Sequence, residues 1–370
     1  MELVKGKKIY ISSLTSLRGI AAIIVVMYHL EPKLRDVVDY QTPFPFIADG
    51  QLMVDFFFIL SGFILAHAYA PDRARAGSWL DVRKFFARRF ARVYPMHAFM
   101  LVVFLAYEIV DVLVHRVMLG QPDRLWFEGG TSIGSYFTNI LLIQAWGIHD
   151  TLTWNQPSWS ISAEFAAYLA FPILVWVFSI RNSAVVAAIA AVLAFASLVA
   201  IQEANGRLTA SNGYAVFNCL AEFTIGIVLY YWISLDKLCG QRGIAFIQLA
   251  VFAAIVIFIS AGASDIFVVP LFALLTVACR SDRGWLGKVL SRPFFLWLGR
   301  ISYSLYISHY IFIRLFDAPW ESILPSADLD GRMSQGLLLA LEFSLIVSFA
   351  HICFVMIENP ARRRLGMFAR

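Results

Sequence analysis

Charged residues are scarce in this sequence. Lys, Arg, Asp and Glu together make up 15% of its 370 residues, whereas 60% of the residues are hydrophobic. In soluble domains about a quarter of the residues are charged. The composition therefore argues against a soluble multidomain protein whose helices are merely buried in a core.

Cysteine is equally rare. The four cysteines, none of which forms a CxxC pair, are Cys219, Cys239, Cys279 and Cys353. Three of them fall within apolar segments, which is typical of packing residues rather than of a disulfide framework or a metal site. The sequence also lacks an HExxH motif and any close group of His, Cys and Asp residues, so we expect no metal.

No motif for binding DNA or RNA is present, although the formal net charge is +5. Basic residues of membrane proteins collect in cytoplasmic loops, which accounts for this excess without a nucleic-acid partner. No linker, low-complexity block or internal repeat divides the chain. We therefore predict one domain that covers residues 1–370.

Long apolar runs dominate the sequence instead. Runs of about 18–25 residues recur from end to end, and a helix of this length crosses the hydrocarbon core of a bilayer. The sequence thus predicts an all-α, polytopic membrane protein with about ten transmembrane helices in one bundle. The predicted spans are residues 14–31, 50–69, 93–114, 159–180, 184–202, 213–233, 244–261, 265–280, 294–316 and 334–357. The stretch 131–147 is apolar but short, and we expect an interfacial or re-entrant helix there.

Basic residues also predict the orientation of the chain. Most Lys and Arg residues outside the spans fall on the side of the N-terminus, which places both termini in the cytoplasm. Arg18 interrupts the first apolar run and no small-x-small cleavage site follows, so we expect an uncleaved first span. A multi-pass helical protein suits a bacterial inner membrane, since outer membranes hold β-barrels.

Two ionisable residues, Arg18 and His29, lie inside the first predicted span. Eleven residues at 3.6 residues per turn bring a helix back to within about 20° of its starting direction, so both side chains share one face, about 16 Å apart. Ionisable residues within a span are costly and usually face a bundle interior or a cavity. This pair is therefore the first candidate for a functional site.

The predicted topology sorts further polar residues by depth. The outer half of the bundle is expected to hold His29, Asp55, Glu164 and His309, and the inner face Arg18, Arg89, Arg92 and Arg300, with Tyr303 and Tyr306 midway. A cationic inner mouth that leads to histidines and carboxylates suggests an elongated anionic ligand entering from the cytoplasm. Acyl-coenzyme A has this shape, and arginine suits its phosphates through bidentate hydrogen bonds.

Five segments of the sequence are distinctive together. They are the Arg-x10-His pattern within residues 16–29, the aromatic run 56–63, the Arg-x-x-Arg element in 89–95, residues 157–164 and residues 301–309. In this order they resemble the acyltransferase-3 family of integral membrane O-acyltransferases, which includes bacterial polysaccharide and Nod-factor acetylases. The resemblance spans nearly the whole chain.

This resemblance implies an activity. It implies transfer of an acyl group from a cytoplasmic donor, with acetyl-CoA as the expected one, to a hydroxyl of a glycan or lipid-linked glycan. Arg18 and His29 correspond to the essential pair of the family. Arg89 and Arg92 correspond to the Arg-x-x-Arg pair, for which a role in donor binding is expected.

We hypothesise that His29 acts as general base on the acceptor hydroxyl, with Asp55, Glu164 or His309 holding its tautomer. An acyl-His29 intermediate is an open alternative. The candidate residues for the acyl-CoA site are Arg18, Arg89, Arg92, Arg300, Tyr303 and Tyr306.

Two other classes of function remain open at the level of sequence. A transporter or flippase for a glycolipid or anionic solute would use Arg18 and His29 as pathway residues, because ionisable residues in spans also mark transport routes. A membrane sensor or scaffold should instead tolerate their loss. The sequence also leaves open whether the chain forms a homo-oligomer among the membrane lipids.

Overall fold

The computed structural model describes residues 3–4, 7–8, 10–38, 44–69, 81–118, 120, 126–181, 184–208, 213–233, 240–323 and 329–367. A two-residue strand β1 (Leu3–Val4) pairs antiparallel with β2 (Lys7–Lys8). The helices that follow are α1 (Ser12–Val38), α2 (Pro45–Ala48), α3 (Met53–Tyr69), α4 (Val82–Leu113), α5 (Ile133–Ile140), α6 (Trp159–Arg181), α7 (Ala184–Asn205), α8 (Ala215–Trp232), α9 (Gln241–Ser260), α10 (Asp265–Ala278), α11 (Gly284–Leu290), α12 (Pro293–Ile323), α13 (Leu329–Cys353) and α14 (Asn359–Met367). Short π-helical turns, Val114–Met118 and Phe354–Glu358, extend α4 and α13.

The all-α polytopic fold predicted from the sequence is confirmed. Eight helices of the described chain are long and apolar enough to cross a membrane. Each of the ten predicted spans falls on a helix, and the two not among those eight fall on α10, which has 14 residues, and on α12, which has 31. The apolar runs therefore located the helices correctly.

Helix α4 begins well before its predicted span. The Asp81 carboxylate accepts a hydrogen bond from the Lys84 backbone N–H at 3.1 Å, which caps the helix and lowers the pKa of Asp81. The first turns carry several basic residues, so hydropathy alone missed them. As a consequence Arg89 and Arg92, which precede the predicted span 93–114, lie on a helix, three residues apart on one face.

The stretch 131–147 does not cross the bundle. Its helix, α5, has eight residues, a rise of only about 12 Å, and residues 141–158 then lead into α6. His97 of α4 lies 2.9 Å from the carbonyl oxygen of Asn139 through its Nε2, and the Asn139 amide donates to Thr153 at 2.8 Å. These buried contacts hold α5 and the following loop against α4.

Glycines bring α1 and α12 into close contact. A Cβ on Gly299 would overlap the carbonyl of Thr15, and a Cβ on Gly19 would lie 2.6 Å from the Gly299 nitrogen. Small residues allow helix backbones in membranes to approach in this way. This contact sets Arg18, the neighbour of Gly19, beside the first turns of α12.

A second glycine contact joins α3 to α8. A Cβ on Gly62 would overlap the carbonyl of Phe223, and a Cβ on Gly226 would overlap that of Ile59. The two backbones therefore touch, and the polar residues that α3 and α8 present to each other are sealed from lipid.

Candidate active site

A cavity of about 330 Å³ opens at the end of the bundle where α1, α4 and α12 begin and α3 ends. Six arginines line it, namely Arg18, Arg88, Arg89, Arg92, Arg300 and Arg362. Of the described residues that line this cavity, Glu164 alone is acidic. We call it the arginine cavity, and its charge favours an anionic ligand.

Arg18 lines this cavity together with Arg92 and Glu164. The charges of Arg92, Glu164 and Glu358 all act on it. Glu358 is buried, accepts a hydrogen bond from the Ser304 hydroxyl at 2.7 Å and lies 3.5 Å from a guanidinium nitrogen of Arg362. The wall therefore holds Arg362 against a buried carboxylate while the cavity keeps an excess of positive charge.

Arg89 has a donor left over for a ligand. Its guanidinium carbon lies 5.5 Å from the centre of the Tyr69 ring, and its Nη2 donates to the Tyr69 hydroxyl at 3.3 Å. Its Nε is buried without a hydrogen-bond partner in the described part of the chain. Buried polar groups are nearly always paired, so this donor fits a phosphate oxygen of a bound anion.

Glu164 belongs to the arginine cavity and not to the surroundings of His29. Its carboxylate accepts a hydrogen bond from the Ser61 hydroxyl, and Tyr168, one turn later on α6, lines the same cavity. The described contacts of Glu164 are with Ser61 of α3 and with this cavity, and the expected contact with His29 is not among them.

Tyr303 and Tyr306 both line the arginine cavity, as expected for residues of a donor site. The Tyr303 hydroxyl donates to the Val93 carbonyl at 2.7 Å. The Tyr306 hydroxyl lies 2.7 Å from the Ser160 hydroxyl and donates to a backbone carbonyl of the loop before α6 at 3.0 Å. Since these hydroxyls bind the protein itself, the two residues offer their rings to a ligand.

Two aromatic rings that touch each other line the arginine cavity where α12 leaves it. Phe57 and Tyr306 meet edge to face, with ring centres 5.9 Å apart. His309, one turn beyond Tyr306, has its ring centre 6.1 Å from that of Tyr306. Neither His29 nor His309 is among the described residues that line the cavity. We call the Phe57–Tyr306 pair the aromatic closure.

His29 and His309 meet directly beyond the aromatic closure. His309 Nε2 lies 3.2 Å from His29 Nδ1, while His309 Nδ1 lies 2.7 Å from the Tyr306 carbonyl and His29 Nδ1 lies 3.0 Å from the Val25 carbonyl. A carbonyl only accepts, so both Nδ1 atoms carry the proton in the neutral rings. His29 then keeps its lone pair on Nε2, the nitrogen that can act as a base.

Asp55 lies on another face of α3, against α8. The Asn218 amide donates to its carboxylate at 3.0 Å and reaches Glu222 at 3.5 Å. All three residues are fully buried. The structure therefore joins Asp55 to α8, and the expected contact with His29 is not among the described interactions.

The prediction missed several polar residues of the cavity wall, among them Arg88, Tyr168 and Arg362. Arg88 belongs to the basic first turns of α4, and Arg362 follows the last span at the same end of the bundle. Tyr168 lies four residues after Glu164 on one helix, a spacing that places both on one face. These signals were present in the sequence but needed the helix bounds.

Comparison with known proteins shows the family of the chain. The model of the acyltransferase-3 family, described as an acyltransferase domain, matches residues 11–357. The chain is 29% identical to acyltransferase MdmB of Streptomyces mycarofaciens over 96% of this chain and 92% of that protein. It is 24% identical to the peptidoglycan O-acetyltransferase OatA of Listeria monocytogenes, over 96% of this chain and 56% of that protein.

The O-acetyltransferase OatA of Staphylococcus aureus is 22% identical, again over 96% of this chain but 58% of its own length. The chain thus spans nearly all of MdmB and little more than half of the two OatA proteins. No solved structure matches. With the family model covering almost every described helix, the chain belongs to the acyltransferase-3 family of membrane acyltransferases.

Proposed function

We propose that this chain moves an acyl group, with acetyl as the expected one, from acyl-CoA to a hydroxyl of a glycan or lipid-linked glycan. The names of its relatives include peptidoglycan O-acetyltransferases, which supports a saccharide hydroxyl as the acceptor. The donor is a substrate of the reaction, and no resident cofactor or metal is part of the proposal.

One observation carries the proposal, namely that the arginine cavity stops one helical turn short of the paired histidines. The cavity offers six guanidinium groups to the phosphates of coenzyme A. From Arg300 to His309 the rise along α12 is about 14 Å, so an extended arm is needed to reach from one to the other. Acyl-CoA combines an anionic head with such an arm.

The proposed reaction uses His29 as general base. The acceptor O–H gives its proton to His29 Nε2 while its oxygen attacks the thioester carbonyl. The carbon–sulfur bond then breaks, the new ester forms, and the imidazolium returns the proton to the coenzyme A thiolate. His309 Nε2 and the Val25 carbonyl accept from the protonated His29, which stabilises the charge that develops on the ring.

Covalent transfer through an acyl-His29 intermediate uses the same residues. In that route Nε2 attacks the thioester first, coenzyme A leaves, and the acceptor hydroxyl then takes the acyl group from the ring. Rapid acid quench of enzyme with labelled acetyl-CoA and no acceptor separates the two routes, because only the second leaves label on the protein.

We further propose that the arginine cavity faces the cytoplasm of a bacterial inner membrane, with both chain termini on that side. The arginines of α4, α12 and α14 gather at this end of the bundle, which agrees with the positive-inside rule. Acyl-CoA would then enter from the compartment in which it is made.

The first test is transfer of label. Purified wild-type protein, His29→Gln and the control His351→Gln are incubated with radiolabelled acetyl-CoA and a membrane-glycan extract. His351 lies on α13 beside Trp297, away from both histidines, so its replacement is expected to leave transfer unchanged. We expect wild type and the control to label glycan, and His29→Gln to be slower by about 10²–10⁴-fold.

Binding of coenzyme A, measured by calorimetry, shows whether His29→Gln is folded. Retained binding with lost transfer supports the proposal. Transfer at the wild-type rate by His29→Gln would contradict the role of His29. Movement of a glycolipid or anion across vesicles, without any acetylated product, would favour a transporter instead.

A further inference from the structure

A second cavity of about 270 Å³ lies at the opposite end of the bundle from the arginine cavity. The C-terminal part of α4, the loops before α5 and before α6 and the C-terminal half of α12 form its walls. The residues that give it its chemistry are Glu108, Glu128, Thr131, Trp154, Gln156 and Arg314. We call it the distal cavity.

The lining of the distal cavity is polar and mixed in charge. Glu108 is 4% exposed and accepts a hydrogen bond from the Thr131 hydroxyl at 3.2 Å. Arg314 packs over the Tyr107 ring, with 5.1 Å between the guanidinium carbon and the ring centre. Gln156 adds an amide that both donates and accepts.

This lining selects a class of ligand. Two carboxylates against one guanidinium disfavour an anion, and so few apolar groups disfavour an acyl chain. A neutral ligand with many hydroxyl groups fits, because each hydroxyl both donates and accepts and can pair with carboxylate, amide and guanidinium together. The volume is near the lower end of the range of small-molecule sites, which suits one sugar ring rather than a longer segment.

Two walls of the distal cavity, α12 and α4, carry residues that lie close to the paired histidines. Arg314 lies five residues after His309 on α12, a rise of about 7.5 Å. Tyr310, between them, has its ring centre 5.6 Å from that of His29 and 6.5 Å from that of Phe104, which lies one turn before Glu108 on α4.

The loop before α6 makes the third connection. Asn155, between Trp154 and Gln156, donates its amide to the Ile307 carbonyl at 2.7 Å, two residues before His309. Its own Oδ1 is buried without a partner in the described part of the chain. Residues of α4, α12 and the loop before α6 therefore connect the distal cavity to the same pair of histidines, on the side away from the arginine cavity.

We propose that the distal cavity binds the sugar unit whose hydroxyl receives the acyl group. The inference rests on the function proposed above and adds the position and chemistry of the acceptor site. Donor and acceptor then approach His29 from opposite ends of the bundle. The acyl group alone passes between them.

The test separates acceptor from donor kinetics. Initial rates of label transfer are measured for wild type, Glu108→Gln and Gln156→Ala while either the membrane-glycan extract or acetyl-CoA is varied. We expect both variants to need at least tenfold more extract for half-maximal rate, with KM for acetyl-CoA changed less than twofold. Arg89→Gln is expected to show the opposite pattern.

A blocking experiment gives a second readout. Gln156→Cys is treated with a membrane-impermeant maleimide, and Asp150→Cys, an exposed position of the same loop outside the cavity, is the matched control. We expect the reagent to reduce transfer at least tenfold in Gln156→Cys only, while coenzyme A binding persists and shows that the protein is folded.

If wild type turns over normally and both cavity variants need the same amount of extract for half-maximal rate as wild type, the acceptor site is wrong. The proposed function would still stand. The same holds if the modified Gln156→Cys protein transfers label normally. If wild type transfers no label to any component of the extract, the proposed function fails first, and the inference falls with it.

Discussion

His309 Nε2 faces His29 Nδ1 across 3.2 Å, so the partner of the proposed base is a second imidazole and not a carboxylate. The Tyr306 carbonyl holds the proton of His309 on Nδ1, which leaves its Nε2 as an acceptor. A neutral acceptor orients the His29 ring without placing a fixed negative charge in the membrane. The sequence pointed to three possible partners, and the geometry selects this one.

The His309→Asn variant tests that relationship. Without the ring of His309, His29 loses one of two acceptors for its Nδ1 proton, so its tautomer and orientation are less defined. We expect kcat to fall by about tenfold or more, but by less than in His29→Gln. KM for acetyl-CoA should stay within about twofold, since the donor site lies below the aromatic closure. A variant that raises KM and leaves kcat intact would contradict this role.

Arg89→Gln and Arg92→Gln test the donor site. Each removes a charged donor expected to bind phosphate, worth about 1.5–3 kcal/mol, or about 10–100-fold in the Kd of coenzyme A. The dependence of Kd on ionic strength should also weaken. Arg242→Gln is the control, because Arg242 is exposed at the same end of the bundle but outside the cavity. Equal effects of all three substitutions would indicate a general surface charge effect.

Gly299→Val tests the contact between α1 and α12. Its Cβ would overlap the Thr15 carbonyl, and overpacking of this kind costs about 1–3 kcal/mol. We expect a lower Tm in detergent, measured by size-exclusion chromatography after heating. We also expect weaker binding of coenzyme A. Gly134→Ala in α5 is the control, since a Cβ there meets nothing within 4 Å. An unchanged Tm for Gly299→Val would contradict the close packing.

Asn218→Ala tests the buried polar contact between α3 and α8. It removes the amide that Asp55 and Glu222 share, and the loss of a buried hydrogen-bond donor of this kind costs about 1–3 kcal/mol. We expect Tm to fall while kcat per folded molecule changes less than about threefold. Asn205→Ala, at the exposed end of α7, is the control. A loss of kcat at normal Tm would instead support a catalytic role for this cluster.

Sequence periodicity predicted the features that depend on one helix alone. The apolar runs located every predicted span on a helix. The Arg18–His29 spacing predicted one shared face, and in the structure Gly19, next to Arg18, and His29 both contact α12. Hydropathy did not detect the first turns of α4, because a helix can extend beyond the apolar layer when a residue such as Asp81 caps it.

Features that depend on two helices could not be read in the same way. The positions of Asp55 and Glu164 along their helices could be predicted, but the rotation of α3 and α6 decides which neighbour each residue meets. That rotation is set by contacts such as Gly62 against the Phe223 carbonyl, which involve residues far apart in sequence. The distal cavity, whose walls come from two helices and the two loops that flank α5, could not be predicted for the same reason.

The aromatic closure has a consequence for the energy supply of the cell. Two polar cavities that enter a membrane protein from opposite ends would form a leak for protons and small ions if water connected them. The Phe57 and Tyr306 rings, which touch where α12 leaves the arginine cavity, place aromatic groups between that cavity and His309. In the proposed reaction the acyl group would pass this level while the rings keep the water of the two cavities apart, which would preserve the electrochemical gradient on which the rest of the membrane depends.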